Sequence, residues 1–405
     1  MNHTVDPSQS VFQQSDSLWM TFLRSRLERS NAAPAFCIQG GGARGAWEAG
    51  ALAGLLKAGV HTTPSSIWGT SAGALNALWS RDPSIQAEPA SFLGNWITLA
   101  HRLICVAAAC FLLFLSLLYH FPMLTIACLV MASLAFGLMY ILAKQRVLTR
   151  LPGLVAPRVA RLIVPHPRTI GPGWYVYTCV SDVDSHARPD FWSLESKRGW
   201  FCLHRDASSR FAEHMHDGEM VDAFRVAVAS ASVPIAVGPT KLAGMTLMDG
   251  GLVANLPAGF IATNGSLGGA YILCVVPRNV GELASSNPID HRTLRFLFEL
   301  RDEQTKHRSN SFSGGPAHTH TPVFVLSPKK HLKSGLWKFW PKLLRREFAQ
   351  GFQEAMSFST ALEAFGQGNA EPVREYLLER VLENCSPPEG EPPRGGWYMW
   401  ANTRW

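Results

Sequence analysis

Residues 35–59 read AFCIQGGGARGAWEAGALAGLLKAG, and residues 66–79 read SIWGTSAGALNALW. A short apolar run, Ala35-Phe36-Cys37-Ile38-Gln39, ends in glycines, and an Ala- and Leu-rich stretch at 46–57 follows and closes at Gly59. That order predicts strand, glycine loop and helix. The pattern repeats at once. Ser66-Ile67-Trp68 is strand-like, residues 69–73 make a tight turn, and 72–79 form a second helix before the break at Asp82-Pro83. Two such units in succession predict a parallel sheet covered by helices, an α/β fold.

Around these units the chain divides by composition. Residues 1–33 read as a flexible leader, polar and Ser- and Gln-rich over 1–16, with a short basic helix at 18–29 and no signal-peptide pattern. Residues 34–100 form the first part of the α/β domain and 151–327 its second. In the second part, 175–180, 271–276 and 322–326 are β-rich, 245–248 is a short strand ending at Asp249, 223–231 reads as helix, and 309–321 as loop. Between the parts lies an insertion, 101–150, which from Leu103 to Ala143 contains no Asp, Glu, Lys or Arg. Only Tyr119-His120-Phe121-Pro122 interrupts it. The two arms, 103–118 and 123–143, are about 24–32 Å long as helices, close to the hydrocarbon thickness of a bilayer. Arg102 before the run, and Lys144, Arg146 and Arg150 after it, put both feet of a transmembrane hairpin on the positive, cytoplasmic side. A soluble helical lid and a re-entrant hairpin are the competing readings.

Residues 328–405 form a basic and aromatic C-terminal region. Its stretch 329–346 carries seven Lys or Arg and no acid, interleaved with Leu332, Leu336, Trp337, Phe339, Trp340, Leu343 and Leu344. It suits either the lipid interface or a solvated basic face packed on the domain. The 405 residues are 47% hydrophobic, which excludes a disordered chain, and 17% charged, against about a quarter in ordinary soluble domains. The 13 Trp and a net charge of +7 favour contact with an anionic membrane. Nucleic acid would match the charge but leaves the insertion without a role. Cys37, Cys105, Cys110, Cys128, Cys179, Cys202, Cys274 and Cys385 include no CxxC pair and read as buried free thiols of a reducing compartment.

Gly69-Thr70-Ser71-Ala72-Gly73 is a G-x-S-x-G turn between strand and helix. Such an elbow exposes the serine Oγ on strained backbone, and its glycines avoid collisions that side chains would make. The helix behind it favours developing negative charge. A serine nucleophile also needs an oxyanion hole and a base. Gly40-Gly41-Gly42-Ala43-Arg44-Gly45 supplies candidate donors in the N–H groups of Gly41, Gly42 and Ala43, with the Arg44 charge nearby. The loop also matches the dinucleotide pattern G-x-G-x-x-G through Gly40, Gly42 and Gly45. That pattern expects an acid about 20 residues on, and 61–70 contains none. The candidate base is Asp249, at a strand end and followed by Gly250 and Gly251, which let the backbone come close to Ser71. His291, His307, His318 and His320 follow it in the order of a Ser…Asp…His triad, yet fall in basic or loop-like sequence and read as surface residues. His318-Thr319-His320 has no carboxylate or cysteine at ligand spacing, so no metal is expected.

A G-G-G-x-R-G loop, then G-T-S-A-G, then a late D-G-G resembles the motif set of patatin-like phospholipases, over about residues 34–280 apart from the insertion. Ala229-Ser230-Ala231-Ser232-Val233-Pro234 resembles the segment that precedes the aspartate in that family. The resemblance implies a three-layer sandwich with a central, mostly parallel sheet. It also implies a Ser71–Asp249 dyad without histidine, an oxyanion hole from Gly40 to Gly45, and hydrolysis of ester bonds in phospholipids or other acyl lipids without metal or cofactor. The expected partners are that lipid and the bilayer, and no nucleic acid. The expected place is the membrane, with the catalytic domain on the cytoplasmic side. A chain with this fold that had lost turnover would instead be a membrane scaffold or lipid-binding protein, and would not react with a serine probe.

Overall fold

The computed structural model describes residues 34–59, 66–143, 156–167, 175–182, 200–203, 223–233, 237–242, 245–252, 271–280 and 321–383, with Cys385 and scattered positions between 255 and 302. The expected leader with its short helix, most of the 309–321 loop, the chain after 385, and His291, His307, His318 and His320 lie outside the described residues.

Strands β1 (Ala35–Ile38), β2 (Ser66–Thr70), β3 (Tyr175–Asp182), β4 (Trp200–Leu203), β5 (Thr240–Leu242), β6 (Met245–Asp249), β7 (Ile272–Val275) and β8 (Val323–Leu326) form one sheet. Its order is β5-β6-β3-β2-β1-β7-β8, with β4 also paired to β3. β3, β2, β1, β7 and β8 run parallel, whereas β4 and β6 pair antiparallel with β3, and β5 with β6. Successive strand side chains point to opposite faces. Phe36 and Ile38 therefore enter one core with Trp47, Leu273 and Phe324, while Ala35 and Cys37 enter the other with Ile272, Cys274 and Val323. Burial on both faces is why these strands read as continuous apolar runs. It also makes the molecule three-layered, as the resemblance implied.

Helices α1 (Gly45–Lys57) and α2 (Ala72–Trp79) follow β1 and β2. β2 runs through Thr70, so the turn predicted for 69–73 contracts to a single residue, Ser71. Ile38 pairs with Gly69, which sets the loop after β1 beside the turn after β2 at the same edge of the sheet. On the other side of β2, Thr70 pairs with Cys179, and the next residue of β3, Val180, pairs with Asp249. The strand register thus brings Asp249 to Ser71 from 178 residues away.

The insertion folds as two helices, α3 (Phe92–His120) and α4 (Pro122–Ala143). α3 starts well before residue 101. Its first turns bury Phe92, Trp96, Leu99 and Ala100 in the domain, and from His101 onward it is largely exposed. The helix stops at Phe121 because the residue before a proline is pushed out of helical conformation, and Pro122 then opens α4 with its φ already set. At the foot, Arg102 Nη1 donates to the carbonyls of Leu162 (3.0 Å) and Ile163 (3.3 Å), at the end of α5 (Pro157–Ile163). Cys37, Cys179 and Cys274 are buried free thiols as expected, whereas Cys105, Cys110 and Cys128 are exposed. These three lie on the hairpin, whose surface turns away from the domain.

α6 (Ala223–Ser230) packs beneath β3, and α7 (Pro341–Gly366) crosses α1. α7 is absent from the sequence reading. Its buried Leu344, Phe348, Gly351, Ala355 and Phe358 make a stripe at helical spacing. A Cβ on Gly351 would lie 3.0 Å from Ala51 N, and one on Gly54 2.6 Å from the Phe352 carbonyl oxygen, so small residues bring the two backbones into contact. Trp47 Nε1 pins the crossing to Glu354 Oε2 at 2.7 Å. The basic stretch 329–346 is accordingly mixed: Leu332 and Leu344 are buried, while Trp337 and Trp340 are exposed.

Candidate active site

Ser71 has φ 53°, and among the described residues it alone of the non-glycines has a positive φ. Backbone strain of this kind costs about 1–3 kcal/mol and persists only where the surroundings enforce it. Here they do. A Cβ on Gly73 would come within 2.8 Å of the Gln39 carbonyl oxygen, and one on Gly69 within 2.7 Å of Ala74 Cα, so α2 is pressed against both strand ends. The Ser71 N–H donates to Ser230 Oγ at 2.9 Å, and the Ser230 hydroxyl donates to the Cys179 carbonyl. Two residues on, the Ser232 carbonyl accepts the N–H of Asp249 at 3.2 Å. The segment from Ala229 to Val233 thus braces both Ser71 and Asp249.

Ser71 Oγ donates to Asp249 Oδ2 at 2.9 Å, and the other carboxylate oxygen, Oδ1, accepts the Gly251 N–H at 2.7 Å. Asp249 is buried, 6% exposed. Burial pushes its carboxyl up to about 7, against the smaller lowering effects of the bonds from Gly251 and Ser71. Among the described histidines, His101, His120, His166 and His331, none lines the cavity that holds this pair.

The glycine loop lies over the pair, and its N–H groups are unequally engaged. Gly40 donates to the Asn255 carbonyl at 3.2 Å, Ala43 to the Leu336 carbonyl at 3.1 Å, and Arg44 to the Gly41 carbonyl at 3.3 Å. Gly45 donates back into its own turn. The N–H groups of Gly41 and Gly42 have no acceptor among the described residues. Ala43, a donor candidate from sequence, is therefore occupied, because Leu336 crosses the loop. Gly42, at φ 58°, lies so close under Leu336 that a Cβ would meet its backbone.

Asn255 escaped the sequence reading. Its Nδ2 donates to the Gly40 carbonyl at 3.3 Å while its own carbonyl accepts the Gly40 N–H, a two-way clamp between the glycine loop and the turn after Asp249. A Cβ on Gly40 would stand 2.6 Å from Asn255 Oδ1 and 2.8 Å from Ser71 Cβ, which leaves room for glycine alone. Behind the loop, Glu48 is fully buried, and burial raises its carboxyl well above the ordinary range despite the Asn76 hydrogen bond and the Arg44 charge. Asn76 on α2 donates to Glu48 Oε2 at 2.9 Å and accepts Trp96 Nε1 at 3.0 Å. α1, α2 and the foot of α3 are thereby bonded together.

Ser71 and Asp249 open into a cavity of about 550 Å³, walled chiefly by apolar residues, among them Leu75, Leu99, Leu103 and Val228. That size and lining suit a small-molecule site. A second hollow of about 670 Å³, lined by Thr360, Glu371 and Arg380 among others, shares no lining residue with it. Among the described residues no three of His, Cys, Asp and Glu gather as a metal site. Among known families, the one described as patatin-like phospholipase matches residues 36–261, more than half of the chain. No curated protein matches it.

Proposed function

Because the chain belongs to the patatin-like phospholipase family, a family of lipid acyl hydrolases, we propose that it is a membrane-attached acyl-ester hydrolase with Ser71 as nucleophile and Asp249 as base. The observation that carries this reading is the 2.9 Å hydrogen bond from a strained, elbow-mounted Ser71 to a buried carboxylate under an apolar cavity. A carboxyl near 7 is suited to accept a proton at neutral pH, since general bases work best with pKa close to the operating pH. Asp249 takes the Ser71 proton as Oγ attacks the acyl carbonyl, and the N–H groups of Gly41 and Gly42 hold the developing oxyanion. The alcohol leaves with the proton from Asp249. Water, deprotonated by the same carboxylate, then releases the fatty acid and regenerates Ser71. Gly40 and Asn255 hold the loop, Gly69, Thr70, Ala72 and Gly73 shape the elbow, Gly250 and Gly251 let Asp249 approach, and Arg44 adds positive charge.

Membrane attachment is supported by the hairpin. The segment Pro89–His120 is long and apolar enough to cross a bilayer, and its most apolar window has no share buried in the protein. The exposed part of α3, 101–120, spans about 30 Å, a bilayer's hydrocarbon thickness. The basic feet of the hairpin favour a catalytic domain on the cytoplasmic side. The test is fatty-acid release from acyl-ester lipids in mixed micelles: wild type is expected to release it and Ser71→Ala to lose roughly a thousandfold or more. Undiminished release by Ser71→Ala overturns the assignment.

A further inference from the structure

The cavity above Ser71 has an unusual wall. Trp96, Leu99, Leu103 and Ala107 line it from one helix, α3, at spacings of three, four and four residues, which is one face of a helix about 16 Å long. Burial falls steadily along that stripe: Trp96 and Leu99 are buried, Leu103 is half-buried and Ala107 is exposed. The acyl-sized space beside the nucleophile is therefore continuous with the bare surface of the hairpin.

The rim points the same way. Among the described residues, the exposed large apolar side chains outside the hairpin are Val159, Leu162, Trp337 and Trp340. Trp337 and Trp340 line the cavity mouth, and Leu162 is tied through its carbonyl to Arg102 at the hairpin foot. Exposed Lys333, Lys338, Lys342, Arg345 and Arg346 flank the two tryptophans in sequence. An apolar patch rimmed by tryptophan and lysine matches the interface of an anionic bilayer.

We propose that the substrate is a bilayer-resident, long-chain acyl lipid whose chain slides into the site laterally, along the α3 stripe. The hairpin is then a wall of the acyl site as well as an anchor. This rests on the hydrolase reading above. Its physical basis is the cost of exposing an acyl chain to water, roughly fourfold in the equilibrium constant for every methylene. A groove that merges with the leaflet keeps the chain in apolar contact while its ester reaches Ser71. Leu103 and Ala107 become chain-length determinants with no part in the chemistry.

The test compares two substrates of the full-length protein in anionic phosphatidylglycerol vesicles: a long-chain phospholipid of the same bilayer, and water-soluble p-nitrophenyl butyrate. Ala107→Trp is expected to lower the ratio of long-chain to short-ester hydrolysis by about tenfold or more, the equivalent of blocking about two methylenes. Leu112→Trp, also exposed on α3 but outside the cavity lining, is expected to leave the ratio unchanged. Vesicle flotation should be the same for all three proteins. A wild-type ratio in Ala107→Trp, or an equal loss in Leu112→Trp, overturns lateral access while leaving the hydrolase reading in place. If wild type hydrolyses neither ester, the hydrolase reading itself fails and takes this proposal with it.

Discussion

Asp249 makes a pH prediction that an ordinary aspartate would not. Burial raises its carboxyl from 3.8 to about 7, and in the mechanism above only the ionised form can take the Ser71 proton. The competent fraction is then roughly nine-tenths at pH 8, one-tenth at pH 6 and one-hundredth at pH 5. The assay is kcat/KM for p-nitrophenyl butyrate in detergent between pH 5 and 9, which reports the free enzyme. A single rising limb centred near pH 7 is expected. Repeating it at two temperatures separates a carboxylate, whose midpoint barely moves, from an imidazole, whose midpoint falls on warming. A flat profile across the whole range, or a midpoint that moves as imidazole does, refutes Asp249 as the base. The same shift sets a stability signature. The fold binds this proton more tightly than the unfolded chain does, so the contribution is present below pH 3.8 and lost as pH rises through about 7. Asp249→Asn should therefore raise Tm relative to wild type at pH 8, with the advantage shrinking toward pH 4.

Three substitutions probe how the site is held. Ser71→Gly should be more stable than Ser71→Ala by about 1 kcal/mol in thermal or urea unfolding, since glycine relieves the φ of 53°. Asn255→Ala should lower kcat roughly 10–100-fold on any substrate, by freeing the Gly40 loop, while the far-UV spectrum stays that of wild type. Gly351→Val should cost about 3 kcal/mol or more, because its side chain would be driven into the α1 backbone at Trp47 and Ala51; a Tm within a degree of wild type contradicts that crossing.

The elements around the site were legible because local chemistry dictates them. AFCI and SIW are strands buried on both faces, and the glycines at 40, 69 and 73 stand where a Cβ would strike backbone or Ser71. Other features depend on partners far along the chain. α7 hides its stripe among lysines, arginines and a central glycine, and only its crossing with α1 makes Gly351 favourable. The start of α3 was masked by the apolar run that follows it, although Trp96 and Leu99 are what root the hairpin beside Ser71. β5, of three residues, is too short to carry a period of its own. Ala43 lost its donor role to a carbonyl contributed by Leu336, and Asn255 carries no motif by itself. Ser230 and Ser232 were visible only as part of a resemblance, and the structure gives each a bond to make.

Fluorophosphonate labelling of the detergent-solubilised protein tests the Ser71–Asp249 pair most directly, since the probe reacts only with an activated serine. Wild type is expected to be labelled at Ser71, and both Ser71→Ala and Asp249→Asn, folded by circular dichroism, to remain unlabelled. Full labelling of Asp249→Asn, or labelling of wild type at another serine with Ser71 untouched, would contradict the proposed nucleophile and base.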